Sequence, residues 1–205
     1  MKYVMISLLS VLSVLSSPAS WAQVRQGYTL GDVVADFSLK NVDGKLVTLG
    51  DFRNQRGVIV VFMSNHCPFS TAYEDRLLIL NQKFAQQGFS VVAIMPNDPT
   101  AYADDTFAQM KERAKGKNYN FPYLLDDTQA VARAFGASRT PQVFVLNQVN
   151  GKFILEYTGA IDDNPQDRAE VQRQYVDEAV NSLLAGRPVQ SPITKPIGCA
   201  IKWKQ

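Results

Sequence analysis

The chain carries only two cysteines and one histidine in 205 residues. Cys67, Cys199 and His66 show no zinc-like ligand spacing, so no metal site is expected. An excess of one charge is also missing. Lys and Arg number 21 against 19 Asp and Glu, and the two signs are interspersed, which gives no electrostatic case for a nucleic-acid partner. The sequence has no glycine-rich phosphate loop, dinucleotide fingerprint or haem-attachment motif, so no cofactor is expected. It also lacks internal repeats and low-complexity segments.

What is present suits one globular domain with extensions: the hydrophobic fraction is 46%, enough for one sizeable core. Met1 to Ala22 reads as an export signal. Lys2 supplies a minimal positive start, and Tyr3 to Ser16 form an apolar stretch short for a bilayer span. Pro18 breaks that stretch, and Ser20 and Ala22 are the small residues of a cleavage site. The mature chain is expected to begin near Gln23, outside the cytoplasm, with the periplasm the expected compartment and no stable membrane insertion after cleavage. Two cysteines in an oxidising compartment are either paired for good or used for redox chemistry.

From Gln23 to Phe52 the pattern is strand and turn. Asp36 to Lys40 alternates, Asn41-Val-Asp-Gly44 signals a turn, and Lys45 to Leu49 alternates again, which predicts a β-hairpin. Val58 to Met63 has no polar alternation and reads as a strand buried on both faces. Thr71 to Gln87 has Ala72, Leu77, Leu80 and Phe84 beside Glu74, Arg76 and Lys83, an amphipathic helix stopped by Gly88. Phe89 to Met95 is a second buried strand. A helix is expected from Asp104 to about Lys115, and Phe121 to Leu125 is extended. Asp127 is the expected cap of a helix through Phe135, with Gly136 beyond it. Gln142 to Asn147 and Lys152 to Thr158 form a second antiparallel pair about a turn at Gln148 to Gly151. Gln166 to Ala185, with Val171, Tyr175, Ala179 and Leu183 at helical spacing, is the expected final helix. Strands joined by helices imply parallel neighbours, and the result is an α/β chain with a mixed sheet. Arg187 to Gln205, with Pro188, Pro192 and Pro196, is an extended tail; its Ile201 and Trp203 imply that it docks.

Ser64-Asn65-His66-Cys67-Pro68-Phe69-Ser70 joins the first buried strand to the first helix. A cysteine there meets the unpaired N–H groups of the first turn and the positive end of the helix dipole, which favour the thiolate. Pro68 suits the first helical position. The alternative is that Cys67 is a small apolar residue closing the strand. His66 is one residue away, but neighbours on a strand point to opposite faces. Thr140-Pro141 precedes the strand from Gln142; Pro141 cannot donate to a ladder and holds Thr140 extended. A cis bond there would offer a backbone edge to an extended thiol partner.

Buried strand, Cys-Pro at a helix start, Thr-Pro before a β-hairpin and a last helix: over residues 28 to 186 this order resembles the thioredoxin-fold redoxins. Within them it is most similar to the peroxiredoxin-like branch of the alkyl hydroperoxide reductase and thiol-specific antioxidant family. The resemblance implies a central mixed β-sheet flanked by helices. It also implies a thiol oxidoreductase acting through Cys67 on a peroxide or a protein disulfide and restored by an unidentified thiol reductant. Ser64 fills the hydroxyl position three residues before the peroxidatic cysteine, but Val60 stands where the family has proline. Ser70 replaces the second cysteine of a Cys-x-x-Cys motif, which excludes resolution within the motif. Arg139, directly before Thr140 and Pro141, falls where the family places an arginine that stabilises the thiolate. Cys199 is then the candidate resolving thiol, delivered by the tail from the same chain or another subunit. The other reading is a non-enzymatic binding module in which Cys67 and Cys199 form a permanent staple.

Overall fold

The computed structural model describes residues 27–205. The expected export signal, Met1 to Ala22, lies outside the described residues. Among the described residues no helix is long and apolar enough to cross a membrane.

The chain opens with the predicted hairpin, β1 (Ser38–Asn41) and β2 (Leu46–Thr48), paired antiparallel with Ser38 opposite Thr48. Next come β3 (Gly57–Phe62), α1 (Pro68–Phe84) and β4 (Phe89–Met95), with β3 and β4 parallel. Gly88 stops the helical stretch at φ 88°, a left-handed conformation that glycine adopts without a Cβ penalty. Then follow α2 (Phe107–Gly116), β5 (Tyr123–Leu125) and α3 (Ala130–Phe135). The chain continues through β6 (Arg139–Thr140), β7 (Gln142–Val149), β8 (Lys152–Gly159), α4 (Tyr175–Leu184) and β9 (Cys199–Ala200).

Seven strands form one mixed sheet in the order β2-β1-β5-β4-β3-β7-β8. Its centre is parallel, while β7 and β8 run antiparallel to β3 and to each other, respectively. Alternate side chains of β3 enter different layers, as the two-residue period of a strand requires. Ile59 and Val61 pack with Leu77 and Phe84 of α1, Met110 of α2 and Val180 of α4. Val58, Val60 and Phe62 pack with Phe135 of α3, Phe37 and Leu49. Helices therefore cover both faces of the sheet, and the fold is thioredoxin-like.

Several boundaries differ from the sequence expectation. The helix expected from Asp104 begins at Phe107, because Ala103–Asp105 forms a tight turn and the Thr106 side chain accepts the Gln109 N–H at 3.5 Å. Asp127 is not the cap of α3. Asp126 takes that part, its Oδ2 accepting the Ala132 N–H at 2.7 Å, while Asp127 pairs with Lys204. The last helix starts at Tyr175 rather than Gln166. Asn164 Oδ1 accepts the N–H groups of Gln166 and Asp167, and Asp163 Oδ1 accepts that of Gln172, so side chains claim the donors a helix would need. On α1, Ala72 faces solvent, whereas Glu74 and Arg76 are buried. Their ion pairs explain the reversal. Glu74 accepts from Arg113 Nε at 2.6 Å and Tyr119 at 2.7 Å, and Asp162 accepts from Arg76 and Tyr73 at 2.6 Å each.

The tail docks twice. Residues 192–194 line the edge of β8, with the Thr158 N–H donating to Pro192 at 3.0 Å and the Thr194 N–H to Thr158 at 3.1 Å. Further on, β9 pairs antiparallel with β6, Cys199 opposite Thr140 and Ala200 opposite Arg139.

Candidate active site

The site forms where β3 hands over to α1. The strand ends in the apolar core, and Cys67 is the N-cap of α1 with φ −75° and ψ 118°. Pro68 occupies the first helical turn, where no amide donor is required. Cys67 is 1% exposed, and its Sγ lies 2.9 Å from the Thr140 carbonyl oxygen. The Thr140–Pro141 bond is cis.

Cys67 and Cys199 form a disulfide across a sequence separation of 132 residues, with their Cα atoms 5.9 Å apart. Two features bring the tail so close. Backbone pairing of β9 with β6 fixes the register of Cys199, and the Ile201 N–H donates to the Ser138 carbonyl at 3.1 Å. Gly198 supplies the room: a Cβ at that position would overlap the Thr140 carbonyl group. Ile201 is buried among Phe135 and Phe144, and Trp203 lies 4.4 Å from the Arg133 guanidinium. Gln129 clamps the backbone on either side of Trp203, donating to the Lys202 carbonyl at 2.8 Å and accepting the Lys204 N–H at 2.7 Å.

The sequence candidates take the following places. Ser64 and Thr140 share a hydroxyl–hydroxyl hydrogen bond of 3.1 Å and are both buried. Ser70 accepts the Ser64 N–H at 3.2 Å, so it braces the Cys67 loop from inside α1. Pro141 joins β6 to β7. Arg139 is exposed and its guanidinium donates to the Gly198 carbonyl at 3.4 Å, on the tail side of the disulfide. The His66 ring stacks on Tyr102 at 3.4 Å between centroids and lies 3.8 Å from an Asp104 oxygen. Lys202 reaches the same Tyr102 ring at 5.6 Å. Cys67, Cys199, Ser64, Thr140 and Pro141 thus converge, while His66 turns to a neighbouring aromatic.

Sequence reasoning missed four residues that build this arrangement. Gly198 had only its place before Cys199 as a signal. Gln129 read as part of the helix expected after Asp127. Asp105 read as part of a helix, yet it is wholly buried and accepts the backbone N–H groups of Asn65 at 2.8 Å and His66 at 3.0 Å. Asn97 bonds to it at 2.8 Å. Beneath the same loop Tyr123 donates to Asn65 at 3.0 Å, and burial pushes its phenol well above the usual range. Among the described residues no group of three or more His, Cys, Asp or Glu side chains is placed to hold a metal ion.

A thioredoxin-like fold that carries a cysteine pair at disulfide distance, one of them at the start of α1, defines a thiol-dependent redoxin. The model of the AhpC/TSA family matches residues 30–163, and the chain belongs to that family, in its peroxiredoxin-like branch. A hypothetical protein of Sinorhizobium meliloti 1021 shares the fold at TM-score 0.79 and 36% identity, over 87% of this chain and 96% of that one. Peroxiredoxin Q of Gentiana triflora, a chloroplastic protein, is 28% identical over 136 residues, 62% of this chain and 58% of its own length. The thiol-disulfide oxidoreductase ResA of Bacillus subtilis is 24% identical over 140 residues, 68% of this chain and 73% of its own.

Proposed function

We propose that this protein is an exported thiol oxidoreductase in which Cys67 is the nucleophile and Cys199 of the same chain resolves the product. One observation carries the proposal: β9 holds Cys199 against the Thr140 edge, at bonding distance from a cysteine at the start of α1. The reduced pair then has two uses. Attack on a hydroperoxide breaks its O–O bond, releases an alcohol or water and leaves Cys67 as a sulfenic acid; Cys199 condenses with that acid and expels water. Attack on a protein disulfide leaves a mixed disulfide and one freed thiol; Cys199 then displaces the second thiol. Both routes end in the Cys67–Cys199 bond and need two external thiol groups, which leave joined as a disulfide, to supply two electrons.

The positive end of the α1 dipole lies at Cys67, the Ser64 hydroxyl holds that of Thr140, and Arg139 adds positive charge at the tail crossing. Thr140 and Pro141 shape the face that a partner meets. The β9 strand favours the protein-disulfide route, because it shows the edge at Thr140 taking a cysteine-bearing polypeptide by backbone pairing. Val60, in the core where peroxidatic members have proline, points the same way. Relatives of both kinds keep the peroxide route in the test. The apolar stretch before Pro18 and the small residues at Ser20 and Ala22 support export.

The test is to reduce the protein and offer each electrophile in turn. Stoichiometric peroxide consumption that is lost in Cys67→Ser supports the first route. Exchange with a model disulfide, without peroxide consumption, supports the second. A pair that reacts with neither is a permanent clasp, and the enzyme proposal fails.

A further inference from the structure

Between the tail and the Cys67 loop lie two buried polar side chains to which the chemistry above gives no part. Asn97 follows β4 and is 5% exposed; Asp105 closes the turn before α2 and is fully buried. The Lys202 N–H donates to Asn97 Oδ1 at 2.9 Å, and Asn97 Nδ2 donates to Asp105 Oδ2 at 2.8 Å. The other oxygen of Asp105 accepts the N–H groups of Asn65 and His66. A continuous run of hydrogen bonds therefore joins the residue three after Cys199 to the residue just before Cys67, without passing through either sulfur.

The chemistry of the two groups gives this run a direction. A carboxylate only accepts, so Asp105 takes the NH2 end of Asn97 and leaves its carbonyl end for the tail. Backbone N–H bonds to a carboxylate are of the stronger, charge-assisted kind, and linked hydrogen bonds polarise one another. We propose that Asn97 and Asp105 are positioning residues that couple the seating of the tail at Lys202 to the conformation of the Asn65–His66 turn, and so set how readily Cys67 and Cys199 join. The proposal rests on the reading of these cysteines as a redox pair. By thermodynamic reciprocity, an ordered turn tightens the tail by the factor that a seated tail orders the turn.

The experiment measures the equilibrium of the full-length reduced protein with oxidised glutathione. The glutathione S–S bond breaks, the Cys67–Cys199 bond forms, and two electrons and two protons pass to two molecules of glutathione. Asn97→Ala and Asp105→Asn each lower the equilibrium constant about five- to tenfold, the worth of about one hydrogen bond. The double variant falls no further than Asp105→Asn alone, because Asn97 then has nothing to transmit. Trp203→Ala, which loosens the tail through Arg133 instead, multiplies independently with Asp105→Asn. Independent multiplication of the Asn97 and Asp105 effects, to within about twofold, overturns the coupling.

Should Asp105→Asn fail to fold, amide hydrogen exchange decides. In oxidised Asn97→Ala the Asn65 and His66 amides exchange at least about fivefold faster than in the unsubstituted protein, while the Ser64 amide, bound to Ser70, keeps its rate. Unchanged exchange at Asn65 and His66 overturns the proposal. An unsubstituted protein that forms no Cys67–Cys199 bond in glutathione overturns the redox reading and the coupling together; a bond that forms with no coupling overturns the second alone.

Discussion

The α-carbon of Gly198 sits against the carbonyl group of Thr140 with no space for a methyl group between them. This contact sets how closely the tail can approach the edge at which Cys199 meets Cys67. The Thr140 carbonyl oxygen also lies 2.9 Å from the Cys67 sulfur, so one peptide group touches the nucleophile and seats its partner.

Gly198→Ala tests that approach without altering either sulfur. Overpacking at a close contact costs about 1–3 kcal/mol. The Cys67–Cys199 bond of the variant is therefore expected to be reduced more readily, by roughly tenfold or more in its glutathione equilibrium constant. An equilibrium constant equal to that of the unsubstituted protein would show that the tail reaches Cys67 without the contact.

Cys199→Ser addresses the clasp itself. A disulfide that closes 132 residues stabilises by about 5 kcal/mol in the chain-entropy account. Adding reductant is expected to lower the thermal midpoint of the unsubstituted protein and leave that of Cys199→Ser unmoved. Because Ile201, Gln129 and Asn97 still hold the tail, Cys199→Ser keeps the tail protected from protease in the native state. Rapid cleavage within the tail of that variant would show that the sulfur bond alone holds it.

Asp126 gives a pH prediction with a definite sign. Burial raises its carboxyl above the ordinary value, and its Oδ1 has no hydrogen-bond partner. The folded protein thus holds this proton more tightly than the unfolded chain, and stability is lost as pH rises from about 4 through the folded value. Asp126→Asn keeps an oxygen for the Ala132 N–H and removes the ionisation. Its urea midpoint is expected to exceed that of the unsubstituted protein at pH 7, by more than any difference at pH 3, where the carboxyl is neutral in both states. Equal differences at the two pH values would assign the effect to packing.

The parts of the fold that were legible in the sequence are those in which one local signal is undiluted. The unbroken apolar runs of β3 and β4, the Gly88 stop and the Asn41–Gly44 turn each state their structure in a few residues. The tail was legible in outcome, since Ile201 and Trp203 have no reason to remain in solvent. The final helix was misread because helical spacing at Val171 and Tyr175 is weaker than the hold of Asp163 and Asn164 on nearby amides. The site divided along the same line. Cys67, Cys199 and Thr140-Pro141 carry chemistry in their residue types. Asp105, Asn97 and Gln129 matter only through partners that long stretches of sequence keep apart, and a buried charge such as Glu74 looks like a surface one until its ion pair is seen.

The distance along the chain between the two cysteines also has a consequence during synthesis. At typical elongation rates of 5–20 residues per second, Cys199 follows Cys67 by about 7 to 26 s, given the 132 residues between them. Within that interval β4, β5, β7 and β8 complete the seven-stranded sheet before β9 emerges. The nascent protein therefore carries Cys67 at the head of α1 for that time without the cysteine it pairs with. Its own tail is the last segment to arrive.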